Sequence, residues 1–394
     1  MVEIKEVKSK RDFKKFVKFP VTLYKDSVFY VPPMEQDEFN LTNPKKNASF
    51  EESEAVYFLA YRDGKIVGRI AGIISHAYNE KNHAKRARFS RFDLIDDAEV
   101  AKALFDAVEN WARSKGMLDI HGPLGFNDLE REGLMVYGFN TIGTFQGSCN
   151  AEYYQKHVEA NGYKPDAKWV EWRIPTPEKV PDKLVRAADV ISRRYGFYEG
   201  KFKNKKEIID GYGYKFFELL DECFAPLYGT IPFSKKLVDQ TIGLFNLVID
   251  PDYVSIIFDK DGEMAGFGVG YPSLAKAMQK CKGRLLPFGW IGLLKAIQKP
   301  ESLELGLIAV KPKYQNHGVT ALIIKNMLDR FIKHGIKYAD TGSQLETNVA
   351  VINALDMFDR ELVRRKTCYL KSLSPEAESQ AAKPEETAKI DSKI

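Results

Sequence analysis

Twice along this chain an apolar strand runs into an Asp-Gly turn and an apolar strand returns. The first instance is Val56–Ile74, VYFLAYRDGKIVGRIAGII, turning at Asp63-Gly64; the second is Tyr253–Gly270, YVSIIFDKDGEMAGFGVG, turning at Asp261-Gly262. Asp-Gly tolerates the positive φ that tight turns need, so each run reads as a β-hairpin. In both, another glycine stands four residues after the turn glycine, at Gly68 and Gly266. The elements after each hairpin also come in the same order. The first copy continues with a strand near Arg88–Phe92, a helix from Asp97 to Lys115, then Gly116 and a strand Met117–His121. The second continues with a strand Leu303–Val310, a helix from Gly318, then Gly335 and a strand Ile336–Asp340. This repetition predicts a duplicated α/β unit, each copy a twisted mixed β-sheet flanked by helices. Two unrelated α/β units that share common turns are the alternative. A chain of 394 residues has room for two such domains. The division is set at residues 1–175 and 176–373, and the last stretch, 374–394, is rich in Ala, Glu, Lys, Pro and Ser and is expected to be disordered.

The two copies part at the start of their helices. On the first helix Val100, Ala103, Leu104, Ala107, Val108 and Trp111 share a face; on the second Ile324, Met327, Leu328, Phe331 and Ile332 do. Asp96, with Glu99 three residues on, reads as a capping box. Between Phe92 and Ala101 the first copy carries Asp93, Asp96, Asp97 and Glu99 and no glycine. Those carboxylates would repel a diphosphate and answer the helix dipole themselves. The second copy instead ends its strand at Lys311-Pro312 and enters the helix through Lys313-Tyr314-Gln315-Asn316-His317-Gly318-Val319-Thr320. A strand, a tight loop and a helix N-terminus together offer unpaired backbone N–H groups to a phosphate. At Gly318 no Cβ blocks the approach. Between Lys311 and Lys337 five lysines and one arginine face one aspartate, while the whole chain carries only +5. The excess therefore sits beside this loop, where a solvated helix face is the plain alternative.

Here the residues meet a family. Gln315-Asn316-His317-Gly318-Val319-Thr320 resembles the Gln/Arg-x-x-Gly-x-Gly/Ala signature of the GNAT acetyltransferase superfamily, with Thr320 in place of the last small residue. Ala309-Val310-Lys311-Pro312 resembles the end of that family's fourth strand, and Glu346-Thr347-Asn348 its Glu-x-Asn after the fifth. The whole chain is similar to bacterial tandem-GNAT proteins through Leu23–Asp26, Tyr30–Pro33, Asp63–Ile70 and Leu285–Trp290. The resemblance implies acetyl-coenzyme A as co-substrate, its diphosphate on the amides of Asn316, His317, Gly318, Val319 and Thr320 beside Gln315. It implies a pantetheine arm along Ile308, Ala309 and Val310, and a contact from Asn348.

Acyl transfer to an amine needs a neutral amine, a donor for the developing oxyanion and an acid for the leaving thiolate. Glu304, on an apolar strand, is a candidate base whose pKa burial would raise; a solvent-facing or lysine-paired Glu304 is the alternative. The resemblance implies a tyrosine acid seven residues past Asn348, where this chain has Leu355; Tyr369, on the last strand, is the substitute candidate. The expected activity is N-acetyl transfer to a small-molecule amine. A non-catalytic acyl-coenzyme A sensor and an aminoacyl transferase stay open beside it.

Other classes are disfavoured. A mild net charge spread as described does not suggest nucleic acid. The longest apolar run, Leu285–Leu294, contains Pro287 and is too short for a membrane span, so no membrane partner is expected. His76, His83 and His121 have no second ligand at metal spacing, so no metal is expected. Four scattered cysteines and a charged N-terminus without an apolar segment fit a cytoplasmic protein.

Overall fold

The computed structural model describes residues 1–374. The expected tail lies, from residue 375 onward, outside the described residues. The strands are β1 (Glu3–Glu6), β2 (Ser53–Arg62), β3 (Lys65–Ser75), β4 (Arg86–Leu94), β5 (Asp119–Gly122), β6 (Leu134–Tyr137) and β7 (Lys164–Pro175), followed by β8 (Tyr198–Glu199), β9 (Val254–Phe258), β10 (Met264–Pro272), β11 (Ser302–Val310), β12 (Tyr338–Thr341), β13 (Gln344–Leu345) and β14 (Glu361–Ser372). They form one mixed sheet in the order β1-β2-β3-β4-β5-β14-β7-β12-β11-β10-β9-β8, with β6 on β14 and β13 on β7. The mixed α/β architecture read from the sequence is what folds.

Both hairpins form. At Asp63-Gly64, φ is +50° and +72°, and Arg62 pairs Lys65 across a two-residue turn. The second is wider, because Phe258 pairs Met264 and leaves five residues in the loop. Behind each hairpin a helix crosses its second strand closely. A Cβ at Gly68 would strike Leu104 and Val100, and one at Gly268 would strike Ile323 and Met327. Glycine on that strand lets helix Ala98–Ser114 in the first copy, and Val319–Lys333 in the second, lie directly on the sheet. The first core gathers Phe89, Phe92, Leu104, Phe105 and Val108, and the second Leu303, Val319, Ile323, Met327 and Phe331.

Two details differ from the sequence reading. The N-cap of the first helix is Asp97, which accepts from the Val100 N–H at 3.0 Å; Asp96 instead meets His157, and Glu99 meets Arg62. The carboxylate one residue later wins because its backbone is extended where the helix begins. The larger difference is an exchange of strands. β14, late in the chain, lies between β5 and β7, and β7 lies against β12. Each half of the sheet thus borrows a strand from the other half of the sequence.

Candidate active site

β11 and β12 run parallel and pair only from Ser302 with Tyr338 to Leu305 with Thr341. The Gly342 N–H donates to the Leu305 carbonyl at 3.0 Å and closes the shared ladder. Beyond it β11 continues to Val310 with β10 on one edge and, among the described residues, no strand on the other. The two strands therefore splay into a wedge. Where they part, Val269 faces Leu307 and Gly270 faces Leu305, which leaves Gly306 as an extra, bulged residue. Such bulges re-aim backbone groups beside active sites. Gly306 is exposed and Ile308 and Val310 are half-buried, while Ala309 is buried.

The free edge leads to the turn at the start of the Val319 helix. Asn316 has φ +66° and Gly318, the N-cap residue, φ +82°. Amides of Gln315 and His317 are spent inside the turn, on the carbonyls of Pro312 and Tyr314 at 3.2 Å each. The first helical bonds reach the Gly318 carbonyl from Ala321 and Leu322. That leaves the amides of Asn316, Gly318, Val319 and Thr320 without a hydrogen bond among the described residues. One side of the turn is covered. A Cβ on Gly318 would stand 2.2 Å from Cδ1 of Ile191, on helix Asp182–Tyr195, and the Tyr195 ring meets His317 edge-on at 5.0 Å. The space that the missing side chain leaves is thus taken by the protein's own helix. The basic neighbours are also partly answered: Lys311 and Lys313 reach Glu263 at 3.3 and 3.6 Å, and Lys325 reaches Asp329 at 2.7 Å.

Glu304 lies at the closed end of the wedge and is only 3% exposed. It neither faces solvent nor pairs with a lysine. The Phe145 N–H donates to its two oxygens at 3.0 and 3.1 Å, and the Ser273 hydroxyl donates at 2.8 Å. Burial pushes this carboxyl up to about 7, against the pull of those two donors. Next to it on β12, Asp340 holds Arg173 through two bonds of 2.8 Å. Deeper at the seam between β7 and β14, Glu171 pairs with Arg364 at 2.6 Å and with Lys366. Burial works to raise Glu171, but those two cations overcome it and hold the carboxyl at about 2.

Tyr369 is elsewhere. It is fully buried in the first core, registered with Gly122 and Pro165, and its hydroxyl donates to Glu159 at 3.3 Å. Asp340 is registered with Arg173, eight residues along the same β7, so roughly 26 Å of strand separates the two positions. The phenol beside the wedge is Tyr271. It pairs with Glu304 across β10 and β11, and its Cε1 lies 2.9 Å from where a Gly306 Cβ would be. Burial first, then the carboxylates Glu304 and Glu171, raise Tyr271 well above the usual phenol range. Sequence reasoning passed it over; its one signal was its place opposite Glu304 in the register. Asn348 starts the short helix Val349–Ala354 without a side-chain capping bond, after the chain has crossed to β7 at Gln344 and Leu345.

Among the described residues no cluster of three or more His, Cys, Asp or Glu side chains is arranged to hold a metal. The unpaired edge and the four unbonded amides fit an acyl-coenzyme A, whose arm can pair with backbone and whose diphosphate seeks N–H donors.

Residues 214–357 match the model of the Acetyltransferase (GNAT) family. Over 384 residues the chain is 26% identical to Protein YghO of Escherichia coli, covering 93% of this chain and 94% of that protein. With the bacterial ceramide synthase of Caulobacter vibrioides it shares 27% identity over 318 residues, 78% of this chain and 80% of that one. A tandem GNAT protein from the clavulanic acid biosynthesis pathway superposes with a TM-score of 0.56 at 12% identity, covering 95% of this chain and 99% of that one. This chain has the tandem GNAT fold, and the stretch that matches the GNAT family model lies in its second half.

Proposed function

We propose that this tandem GNAT-fold chain is an acyl-coenzyme A-dependent N-acyltransferase whose working site is the wedge of its second half. The observation that carries the reading is the edge of residues 306–310, which no described strand pairs and whose Val310 carbonyl is met by the Cys223 thiol and the Gln315 side chain, running from Glu304 to the four unbonded amides at the Val319 helix. In this reading the amides of Asn316, Gly318, Val319 and Thr320 hold the diphosphate, where the helix dipole adds attraction. The edge Ile308–Val310 holds the pantetheine arm. Acyl-coenzyme A supplies the activated thioester. Glu304, close to half ionised at neutral pH, takes the proton of the acceptor amine. The backbone N–H groups at the Gly306 bulge face the developing oxyanion. Tyr271, which its surroundings keep protonated, returns a proton to the departing thiolate. The division at residues 175 and 176 belongs to the same proposal, with catalysis in the second unit.

Our reading of the donor is acetyl and of the acceptor a small-molecule amine. The relative named bacterial ceramide synthase makes a longer acyl group and a lipid amine the first variants to try. The test is a matrix of acyl-coenzyme A donors and amine acceptors, read by thiol release and product mass. Gly318→Asp is a poor control, because its side chain would strike Ile191. Thr320→Asp puts a carboxylate at the same amides on a half-buried position and should weaken acyl-coenzyme A about tenfold or more. Unchanged donor affinity in Thr320→Asp would remove the diphosphate from this turn. A second reading, an acyl-coenzyme A sensor, is favoured by the cover that Ile191 places on the turn. Calorimetry giving tight donor binding with no turnover for any amine would select it.

A further inference from the structure

The connection from β10 to β11 leaves the sheet at Ser273, a partner of Glu304, and returns at Ser302. Between them helices Ala275–Cys281 and Gly289–Gln298 pack as a hairpin, whose inner residues Met278 and Leu293 rest against Val31. From Ser273 to Pro300 the sequence holds five lysines and one arginine and no acidic residue. Lys276 pairs with Glu301 and Arg284 with Glu35. Lys280, Lys282, Lys295 and Lys299 are exposed and make no ion pair with a described residue. The outer side carries large apolar groups in the open: Leu286 is 80% exposed, Phe288 74%, Trp290 46% and Leu294 45%. A groove of about 460 Å³ runs between the two helices, bordered by Cys281, Phe288, Gly292 and Lys295.

Scattered single apolar residues on a surface mean little, but these stand together on one turn and one helix face. Protein interfaces deplete lysine around their apolar centres, whereas here unpaired lysines are interleaved with the aromatic and aliphatic groups. An apolar ridge with an aromatic pair and a lysine fringe is the pattern that lies in the interface of an anionic bilayer. Among the described residues no helix is long and apolar enough to cross a membrane, so any such seat is peripheral.

We propose that this helical hairpin seats the protein on an anionic membrane surface and presents a bilayer-borne amine to the Glu304 wedge. The presentation rests on the acyltransferase reading; the seating does not. It revises the expectation of no membrane partner, which rested on span length alone.

Flotation of the full chain with vesicles tests the seat. Equal parts phosphatidylglycerol and phosphatidylcholine should carry the protein up, phosphatidylcholine alone should not, and high salt should release it. Each of Lys280→Gln and Lys295→Gln should lower partition roughly fivefold. The double variant Phe288→Ser/Trp290→Ser should lower it about tenfold or more. These side chains are exposed, so the variants should fold, and they should acylate a soluble short-chain amine as the parent does. Vesicle binding without acylation of any amine would keep the seat and sink the acyltransferase reading. Equal partition onto neutral and anionic vesicles, or no loss in the variants, would overturn the seat. So would light scattering that finds a dimer broken by Phe288→Ser/Trp290→Ser, because a second copy would then cover this face.

Discussion

The first half of the molecule repeats the scaffold of the second and closes every opening in it. β4 and β5 pair in parallel from Arg86 to Arg88, as β11 and β12 do from Ser302 to Leu305, and then splay. Where the second half has Glu304, the register puts Arg88 in the first. Its buried guanidinium donates to the carbonyls of Gly125, Phe126 and Gly229. Where the second half answers only the carbonyl at the end of its strand, Val310, with the Cys223 thiol at 3.2 Å and the Gln315 side chain at 3.5 Å, the first inserts tyrosines that take both the amide and the carbonyl. The Leu94 N–H donates to the Tyr154 hydroxyl at 2.9 Å, and the Tyr153 hydroxyl donates to the Leu94 carbonyl at 2.6 Å. The second half enters its helix through eight residues that end on Gly318, the first through three that end on Asp97, with Asp97 and Glu99 tied to Arg62. One backbone plan therefore serves as a filled core in one place and as a slot in the other. A handful of side chains decides which.

That contrast can be broken at its strongest point by Glu304→Gln. Turnover should fall about 100-fold or more, and the limb of the rate profile that rises through pH near 7 should vanish. Arg88→Gln should leave turnover per folded molecule unchanged; equal loss from both would mean that the halves share one site. Next is the seam. Glu171→Gln strands buried Lys366 and Arg364 and should cost roughly 3–5 kcal/mol in denaturant unfolding. Glu304→Gln should also change stability with pH. The folded carboxyl titrates at about 7 against an ordinary value of 4.5, so its contribution is complete below pH 4.5 and lost as pH rises through 7. Relative to the parent, the variant should gain up to roughly 3 kcal/mol between pH 4.5 and 8; a flat difference would place Glu304 in a wetter setting. Tyr271→Phe should lower turnover about tenfold or more and leave donor affinity alone. Smallest is Tyr154→Phe in the first half. It should cost roughly 1–3 kcal/mol of stability, through the unsatisfied Leu94 amide, with no effect on turnover.

What the sequence made legible was local. Asp-Gly turns, the apolar strand Leu303–Val310 and the helix opening at Gly318 each depend on residues within a few positions, and each formed where expected. The environment of Glu304 was only half legible: burial followed from its apolar neighbours, but the Phe145 amide comes from 159 residues away. Separation along the chain also hid Ile191 over Gly318 and the carboxylates of Asp259 and Glu263 beside the loop lysines. The Gly306 bulge depends on a register between two strands, which composition does not encode. Tyr369 looked available because the last strand was expected beside its own half. The pairing of β14 with β5 carries it into the other core.

The position of β14 limits how this molecule can be taken apart. A fragment stopping at residue 175 would lack the strand that covers β5, and it would take β7 away from β12. A fragment starting at 176 would have β14 without its neighbours on either side. Both pieces would bare long unpaired edges, which invite aggregation. The halves are thus tied into one folding unit, and the Phe145 amide of the first also holds the base proposed for the second.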